Sequence, residues 1–307
     1  MTVKKARFPG FCMGVRRAVE LAYKEAENAK ADGSAVFTFG ALIHNPNVLK
    51  DLESRGVRSI GALPQTPDCT VIIRAHGITP AAEEKLRGAG CRVVDATCPK
   101  VKASQLKTQE LVRAGYFLFL AGEAEHAEIE GIMGYFRQAQ QSKASLNEGD
   151  TCSESDNSCV IVSCEQEAKE ASAALFKNNK NAKTALLGQT TVCENEYKKI
   201  ADKIKEYFPA LEVVDTICTA TKDRQSALRE LLPETDAVII AGGENSANTR
   251  RLLSIAQESG KPCVLAETAD DIPLEYFSFN IVGLCAGAST PDSVINEIEA
   301  KLNKASR

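Results

Sequence analysis

The sequence predicts an α/β fold made of three similar small units with mostly parallel sheets. Short continuous apolar runs, such as 71–73 and 238–240, alternate with helical patterns along the chain. Such runs are typical of parallel strands that are buried on both faces. In addition, Cys12, Cys98 and Cys218 each open a block of the same order: helix, strand, polar loop, helix, strand, polar loop. The repetition predicts a pseudo-three-fold trefoil around one central site.

The blocks also predict the domain boundaries. The units would span 1–97, 98–214 and 215–307, the last ending in a C-terminal helix, and a chain of 307 residues suits two or three domains. A polar stretch rich in serine and asparagine at about 141–165 lengthens the second unit. It predicts a surface insertion with local structure at most, whose cysteines are solvent-near or locally packed thiols.

Composition and charge limit the function. The chain is 44% hydrophobic and 25% charged, as in soluble globular proteins, and a net charge of −4 gives no indication of binding to nucleic acid or an anionic membrane. No apolar run approaches the roughly 18 residues of a spanning helix, and the N-terminus lacks the apolar core of a secretory signal. We therefore expect a cytoplasmic protein.

The chain has eleven cysteines and no Cys-x-x-Cys pair, which argues against thioredoxin-like redox chemistry and a zinc ribbon. Cys12, Cys98 and Cys218 each precede a predicted helix, whose N-terminus favours negative charge, so their thiolates are available as metal ligands. Four cysteines are usual for a [4Fe–4S] cluster. A cluster with three would leave one iron open to substrate, as a Lewis acid and an electron relay.

All three histidines of the chain, His44, His76 and His126, fall in polar loops after predicted strands. Ligands of parallel sheets bind at the carboxyl ends of the strands, where these loops lie. A histidine there can donate to an oxyanion, carry charge against phosphate or relay a proton. The alternative is that the histidines bind zinc, although they lack the close spacing of a helical zinc site.

Several loops also begin helices. A capping residue precedes proline at 45–46, 79–80, 98–99 and 290–291, and Ser246 begins another helix. Helix N-termini bind anions through free backbone N–H groups, and Gln, Ser, Thr and Asn side chains nearby suit phosphate oxygens. There is no phosphate-loop or dinucleotide fingerprint, so we expect neither ATP nor a Rossmann-bound nicotinamide.

Glu128 follows His126 by two residues. A carboxylate in an anion site repels the ligand unless it takes part in the chemistry, so a general acid is the natural role. The alternative is an exposed acid on a charged loop, since Glu123, Glu125 and Glu130 are its neighbours.

These residues lie in motifs that closely resemble the 4-hydroxy-3-methylbut-2-enyl diphosphate reductase family. The motifs are GFCMGVRRAV (10–19), the His44-Asn45 loop, AHG (75–77), DATCPKV (95–101), HAEIEG (126–131), QTT (189–191), CTATKDRQ (218–225), NSAN (245–248) and AGAS (286–289). They span nearly the whole chain in order. Two features depart from the family pattern: Ala247 stands where many members carry a second serine, and the stretch at 141–165 is not general.

The resemblance implies a trefoil of three α/β domains around a [4Fe–4S] cluster whose fourth iron is open. The cluster ligands would be Cys12, Cys98 and Cys218. The substrate diphosphate would be bound by His44, His76, Ser246, Asn248 and Ser289, with Asn245 and Ala247 as additional candidates. The catalytic residues Glu128, Thr190 and His126 would face the substrate hydroxyl.

The implied reaction is the reductive dehydroxylation of 4-hydroxy-3-methylbut-2-enyl diphosphate to isopentenyl and dimethylallyl diphosphates, the last step of the non-mevalonate isoprenoid pathway. The hydroxyl would bind the open iron, Glu128 would donate a proton, and ferredoxin or flavodoxin would supply two electrons singly through the cluster. One alternative is a redox-neutral iron–sulfur hydro-lyase, which needs no electron donor. The other is a non-enzymatic iron–sulfur or zinc sensor.

Overall fold

The chain folds into alternating strands and helices in a computed structural model that describes residues 1–66, 68–146 and 158–304. The strands are β1 (Thr2–Lys5), β2 (Val36–Phe39), β3 (Val57–Ile60), β4 (Thr70–Ile73), β5 (Arg92–Asp95), β6 (Phe117–Ala121), β7 (Cys159–Val162), β8 (Thr184–Gly188), β9 (Glu212–Val213), β10 (Ala237–Ala241), β11 (Cys263–Ala266) and β12 (Ile281–Ala286). The helices are α1 (Met13–Asp32), α2 (Pro46–Ser54), α3 (Pro80–Gly88), α4 (Pro99–Arg113), α5 (Ala127–Leu146), α6 (Glu165–Asn178), α7 (Glu194–Lys205), α8 (Thr219–Leu231), α9 (Ala247–Glu258) and α10 (Asp292–Lys304). None of the helices in these described ranges is long and apolar enough to cross a membrane.

The strands form three parallel sheets, so the predicted α/β class is confirmed. The chain divides into two compact units: unit 1 comprises Met1–Ile60 with Cys218–Arg307, and unit 2 comprises Gly61–Ile217. The boundaries at 97/98 and 214/215, and the trefoil arrangement of three domains, stay predictions.

Unit 1 contains a four-stranded sheet of order β1-β12-β10-β11 and the parallel pair β2–β3. Strand β10 is buried along its whole length because each face packs against a different apolar cluster. Ile239 packs on one side with residues of α10, including Ile298. Val238 and Ile240 pack on the other side with residues of α8 and α9, including Leu228. This double burial explains the continuous apolar run in the sequence.

Unit 2 contains a four-stranded sheet of order β7-β6-β8-β9 and the parallel pair β4–β5. Its central strand β6 shows the same pattern as β10. Phe119 packs with α7 residues such as Ile200 on one face. Leu118 and Leu120 pack with α5 residues such as Ile132 on the other. Strands β6 and β10 are therefore both central strands covered by helices on both faces.

The first strand was absent from the sequence prediction. Strand β1 pairs with β12 in parallel, from Thr2 opposite Ile281 to Lys5 opposite Leu284, and lies at the edge of its sheet. Its sequence, TVKK, lacks the apolar run of a strand buried on both faces. An edge strand tolerates lysine, so burial patterning gives no signal for it.

The predicted insertion at 141–165 needs correction at both ends. Residues up to Leu146 continue α5, and Cys159–Val162 form β7, which pairs with β6. These flanks belong to the unit because the strand continues the sheet and Val162 is buried in the core. Residues 147–157, including Cys152, lie outside the described part of the chain. Cys159 is half-buried, with its Sγ 3.7 Å from the Met133 sulfur.

Candidate functional site

The carboxyl ends of β6 and β8 meet at one edge of the unit 2 sheet because the two strands are parallel neighbours. The loop after β6 carries His126, and α5 begins immediately after it; the loop after β8 carries Thr190. The side chain of Gln189 ties the loops together, since its Oε1 accepts a hydrogen bond from the Glu123 N–H at 3.1 Å. A parallel sheet thus gathers residues that are distant in sequence.

Glu128 and Thr190 are joined by two hydrogen bonds in unit 2. The Thr190 N–H donates to Glu128 Oε1 and the Thr190 hydroxyl donates to Glu128 Oε2, both at 2.8 Å. The glutamate is 1% exposed, and the threonine is also buried. The alternative that Glu128 is an exposed acid on a charged loop is therefore wrong.

Burial raises the pKa of Glu128 from 4.5 to about 7, although the two hydrogen bonds from Thr190 act in the opposite direction. The burial effect is larger because the free-energy cost of ionising a carboxyl group away from water exceeds the stabilisation that two hydrogen bonds supply. A carboxyl group with a pKa near neutrality is protonated in a useful fraction of molecules at physiological pH. That is the property required of a general acid.

His126 contacts both the acid's backbone and a second histidine. Its Nδ1 accepts a hydrogen bond from the Glu128 N–H at 3.1 Å, so the neutral imidazole carries its proton on Nε2. The rings of His76 and His126 meet edge to face with centroids 5.4 Å apart. Unit 2 therefore brings together four predicted site residues: two histidines, the acid and Thr190.

Unit 1 brings together another set of predicted residues. The Ser289 hydroxyl, just beyond β12, donates to the backbone carbonyl of His44 at 3.1 Å. Gly243, just beyond β10, lies against the same carbonyl: a Cβ on this glycine would be 2.8 Å from the His44 oxygen. Strands β10 and β12 are parallel neighbours, so their loops share one edge of the sheet. His44 approaches that edge through its backbone and leaves its imidazole for other contacts.

The start of α9 has the features of an anion site. Ser246 caps the helix, with its Oγ accepting from the Thr249 N–H at 3.4 Å. The Asn248 side chain is buried, and neither its Nδ2 nor its Oδ1 has a protein partner among the described residues. A buried amide without partners is costly, so a polar ligand is the natural completion of its hydrogen bonds.

Of two capping predictions, the one for Asn45 is confirmed and the one for Thr290 is wrong. Asn45 caps α2 through its own side chain, whose Oδ1 accepts from the Asn47 and Val48 N–H groups. Thr290, however, does not cap a helix: α10 begins at Asp292, and the Thr290 hydroxyl donates to the Ala241 carbonyl at 2.9 Å. The Thr-Pro motif correctly predicted that a helix begins nearby. It did not predict the role of the Thr290 side chain, which bonds to a carbonyl of β10 instead of capping the helix.

The three cysteines singled out in the sequence all occupy N-cap positions. They begin α1, α4 and α8, respectively, in the order Cys12, Cys98 and Cys218. The Val15 N–H points at Cys12 Sγ at 3.5 Å. All three thiols are half-buried, and none of the cysteines in the described ranges forms a disulfide. The positions suit thiolate ligands because the helix N-terminus favours negative charge.

The donor set of unit 1 also fits a negatively charged metal group through a residue that sequence reasoning missed. Arg224, on α8, is buried, and its Nε has no protein partner among the described residues. Negative charge at Cys12, Cys218 or Cys285 would favour its cationic form. A buried cation beside two half-buried thiols fits an anionic iron–sulfur cluster. Arg224 lies in the CTATKDRQ motif, so the motif could have pointed to it. Hydrophobic periodicity, by contrast, assigns no function to an arginine.

The two units divide the predicted site residues between them. Unit 1 holds Cys12, His44, Cys218, Asn245, Ser246, Ala247, Asn248 and Ser289, and unit 2 holds His76, Cys98, His126, Glu128 and Thr190. The pairs Glu128–Thr190, His76–His126 and His44–Ser289 are in contact within their units. The assembly of both sets into one site stays a prediction.

Comparison with known proteins matches the family model described as LytB protein over residues 3–303. A relative from Treponema denticola, named 4-hydroxy-3-methylbut-2-enyl diphosphate reductase, is 41% identical over 98% of this chain and 99% of its own length. The solved structure of E-1-hydroxy-2-methyl-but-2-enyl-4-diphosphate reductase from Plasmodium falciparum aligns with a TM-score of 0.84 at 26% identity. It covers 97% of this chain and 87% of that one.

A second solved structure, titled (E)-4-hydroxy-3-methyl-but-2-enyl diphosphate reductase, the terminal enzyme of the non-mevalonate pathway, is 36% identical. It aligns with a TM-score of 0.67 over 99% of this chain and all of that one. The family resemblance and the class of oxidoreductase enzyme that the motifs predicted are thereby confirmed. The chain belongs to the LytB protein family.

Proposed function

We propose that this chain converts 4-hydroxy-3-methylbut-2-enyl diphosphate to isopentenyl and dimethylallyl diphosphates by reductive dehydroxylation. The names of its relatives support the substrate, since they are diphosphate reductases over nearly their full length. The observation that carries the proposal is the buried Glu128 carboxyl group, held by Thr190 beside His126.

The reaction balances with two electrons and two protons. The C–O bond of the allylic alcohol breaks, and its hydroxyl takes one proton and leaves as water. The second proton goes to a carbon of the allylic unit, and the position it takes decides which of the two products forms. Both electrons come from an external donor that gives them singly.

In this proposal Glu128 delivers the proton to the departing hydroxyl. Its pKa of about 7 keeps the acid form available, and the Thr190 hydroxyl holds the carboxyl group in one orientation. After transfer, the two Thr190 donors compensate the charge of the carboxylate. His126, with its proton on Nε2, would donate to an oxygen of the substrate.

We assign the diphosphate to the residues of unit 1 with the help of His76. Neutral donors would come from the Asn248 amide, which has no protein partner among the described residues, from Ser246 at the N-cap of α9 and from the Ser289 hydroxyl. His44 and His76 would supply imidazole donors, with Asn245 and the backbone of Ala247 as additional contacts. Binding at this remote end would position the reacting carbon, as expected when binding energy is used for orientation.

We assign a [4Fe–4S] cluster to Cys12, Cys98 and Cys218. When bound, such a cluster with one open iron relays single electrons and acts as a Lewis acid toward the substrate oxygen. The N-cap positions of the three thiols and the buried Arg224 support this ligand set.

The partners follow from the same chemistry. A one-electron protein donor such as ferredoxin or flavodoxin would supply the electrons. We assign the reaction to the cytoplasm, where thiols stay reduced and remain available as cluster ligands.

Anaerobic purification followed by iron and sulfide analysis and EPR, with and without the substrate, tests the proposal. We expect about four irons and four sulfides per chain and a spectrum of the reduced protein that changes when substrate is added. A bound cluster with turnover that needs no reductant would instead identify a hydro-lyase. Zinc, or a cluster whose spectrum ignores the substrate, would favour a sensor.

A further inference from the structure

Arg224 connects the two chain segments of unit 1 that carry cysteines of the proposed cluster. Its Nη2 donates to the Gly10 carbonyl at 2.7 Å, and its Nη1 donates to the Ala220 carbonyl at 3.0 Å. Gly10 precedes Cys12 by two residues, and Ala220 follows Cys218 by two. A planar guanidinium can serve two acceptors at a fixed mutual spacing, which a lysine ammonium on a flexible stem does not reproduce.

The segment before Cys12 has little freedom to move away from this contact. Gly10 has a φ of +80°, a backbone conformation that residues with a side chain rarely adopt, so the conformation favours glycine there. On its other side, the Cys12 N–H donates to the Ala288 carbonyl at 3.1 Å. Arg224 thus completes a set of backbone anchors that hold Cys12 from several directions.

The charge of Arg224 also lacks full compensation by its hydrogen bonds. The residue is 4% exposed, its two acceptors named above are neutral carbonyls, and its Nε is buried without a partner in the described part of the chain. Burial lowers the pKa of Arg224, and the neighbouring Cys12, Cys285 and Cys218 act against that shift, with Asp223 contributing less. An arginine nevertheless stays cationic in proteins, so a net positive charge lies beside the two ligand thiols.

We propose that Arg224 is a positioning residue that fixes the spacing of Cys12 and Cys218 and places a positive charge beside the cluster they hold. The inference rests on the proposed function, since it takes both cysteines as ligands. A nearby cation stabilises the more negative, reduced state of a cluster and so raises its reduction potential. The bridge and the charge therefore predict separate effects on cluster retention and on potential.

Two substitutions separate the effects. Arg224→Lys keeps the charge but loses the two-point bridge, and Arg224→Gln loses both. The anaerobically purified, cluster-loaded proteins are compared by iron and sulfide content during dilution into a chelator, by EPR, and by redox titration. We expect faster cluster loss in both variants, roughly tenfold or more, as found when groups that orient metal ligands are removed. We expect a more negative midpoint potential only in Arg224→Gln.

The matched control is Arg229→Lys, an exposed arginine on the same helix, which should retain its cluster and potential like the unmodified protein. Unchanged cluster lifetime and potential in both Arg224 variants would overturn the inference. So would a failure of both variants to fold, judged by circular dichroism, because it would assign Arg224 to general stability. If the unmodified protein binds no cluster, the proposed function itself fails, and the two failures are thus distinguished.

Discussion

Glu128 and Thr190 lie 62 residues apart in the sequence and are joined by two hydrogen bonds of 2.8 Å, one from the backbone and one from the hydroxyl. Two effects act in opposite directions on the carboxyl proton of Glu128: burial favours the acid form, and the Thr190 donors favour the carboxylate. The resulting pKa of about 7 allows Glu128 to give a proton near neutrality, and the two donors stabilise the carboxylate that remains.

Replacing the acid tests its role directly. Glu128→Gln should keep the cluster and the diphosphate affinity but lower turnover by about 10² to 10⁴, the usual contribution of a general acid. Turnover with a reduced viologen, iron content and the dissociation constant of the substrate check this. Glu130→Gln is the control, because Glu130 lies on the same helix with an exposed side chain in an ion pair with Arg74. A full-rate Glu128→Gln variant would remove the residue from proton donation.

Thr190 should set the pH range of the reaction. Thr190→Val removes the hydroxyl donor that favours the Glu128 carboxylate, so the pKa of the acid should rise and the alkaline limb of the pH–rate profile should move to higher pH. The profile of turnover against pH measures this. Thr190→Ser keeps a hydroxyl at this position and should leave the alkaline limb at the pH found for the unmodified protein. If the limb stays in place in Thr190→Val, the hydrogen bond has no influence on catalysis.

Glu128 should also make folding stability depend on pH. Its carboxyl pKa is higher in the folded chain than the ordinary value of 4.5, so the folded state holds the proton longer than the unfolded state. This contribution to stability is complete below pH 4.5 and is lost as pH rises to about 7, roughly 3 kcal/mol in total. Urea unfolding of the unmodified protein and Glu128→Gln across this range gives the difference. A stability difference that does not fall with pH would contradict the raised pKa.

His44→Ala should mainly weaken substrate binding. The residue's backbone carbonyl accepts from Ser289, so removing the imidazole leaves that contact intact. Loss of a hydrogen bond to a charged group costs about 1.5 to 3 kcal/mol, which corresponds to roughly a tenfold to hundredfold higher dissociation constant. Calorimetric binding of the substrate measures it. Lys50→Ala, an exposed charge on α2, is the control, and unchanged constants in His44→Ala would exclude the residue from the diphosphate site.

Gly243→Ala tests the packing of the His44 backbone. The added Cβ would lie 2.8 Å from the His44 carbonyl, a backbone atom that cannot rotate away, so we expect a loss of about 1 to 3 kcal/mol in unfolding free energy and weaker substrate binding. Urea unfolding and substrate titration report the two effects. Gly61→Ala should change neither, because a Cβ there meets no atom of the described residues within 4 Å. A Gly243→Ala variant with normal stability would show that the loop adapts.

The fold class was readable from the sequence because strands buried on both faces leave continuous apolar runs. Strand β10 shows why: alternate residues enter different clusters, so no position remains polar. Helix starts at Asn45 and Ser246 were readable because capping is local. Strand β1 was not, since its lysines suit an edge and its partner β12 lies at the far end of the chain.

The site was predictable in its residues but not in its contacts. Motifs identified Glu128 and Thr190 separately, whereas their hydrogen bonds depend on the pairing of β6 with β8. Burial of Glu128 depends on the same packing, and the charged sequence around it suggested exposure equally well. Arg224 is the extreme case: its bond to Gly10 spans 214 residues, and no local pattern encodes such a contact.

The most direct measurement of the central claim is product formation from 4-hydroxy-3-methylbut-2-enyl diphosphate by the anaerobically purified protein, with and without a reduced one-electron donor. The account predicts isopentenyl and dimethylallyl diphosphates only when the reduced donor is present, with two electrons consumed per molecule of product. Formation of any product without reductant, or no conversion by protein that carries its full cluster and receives reduced donor, would contradict it.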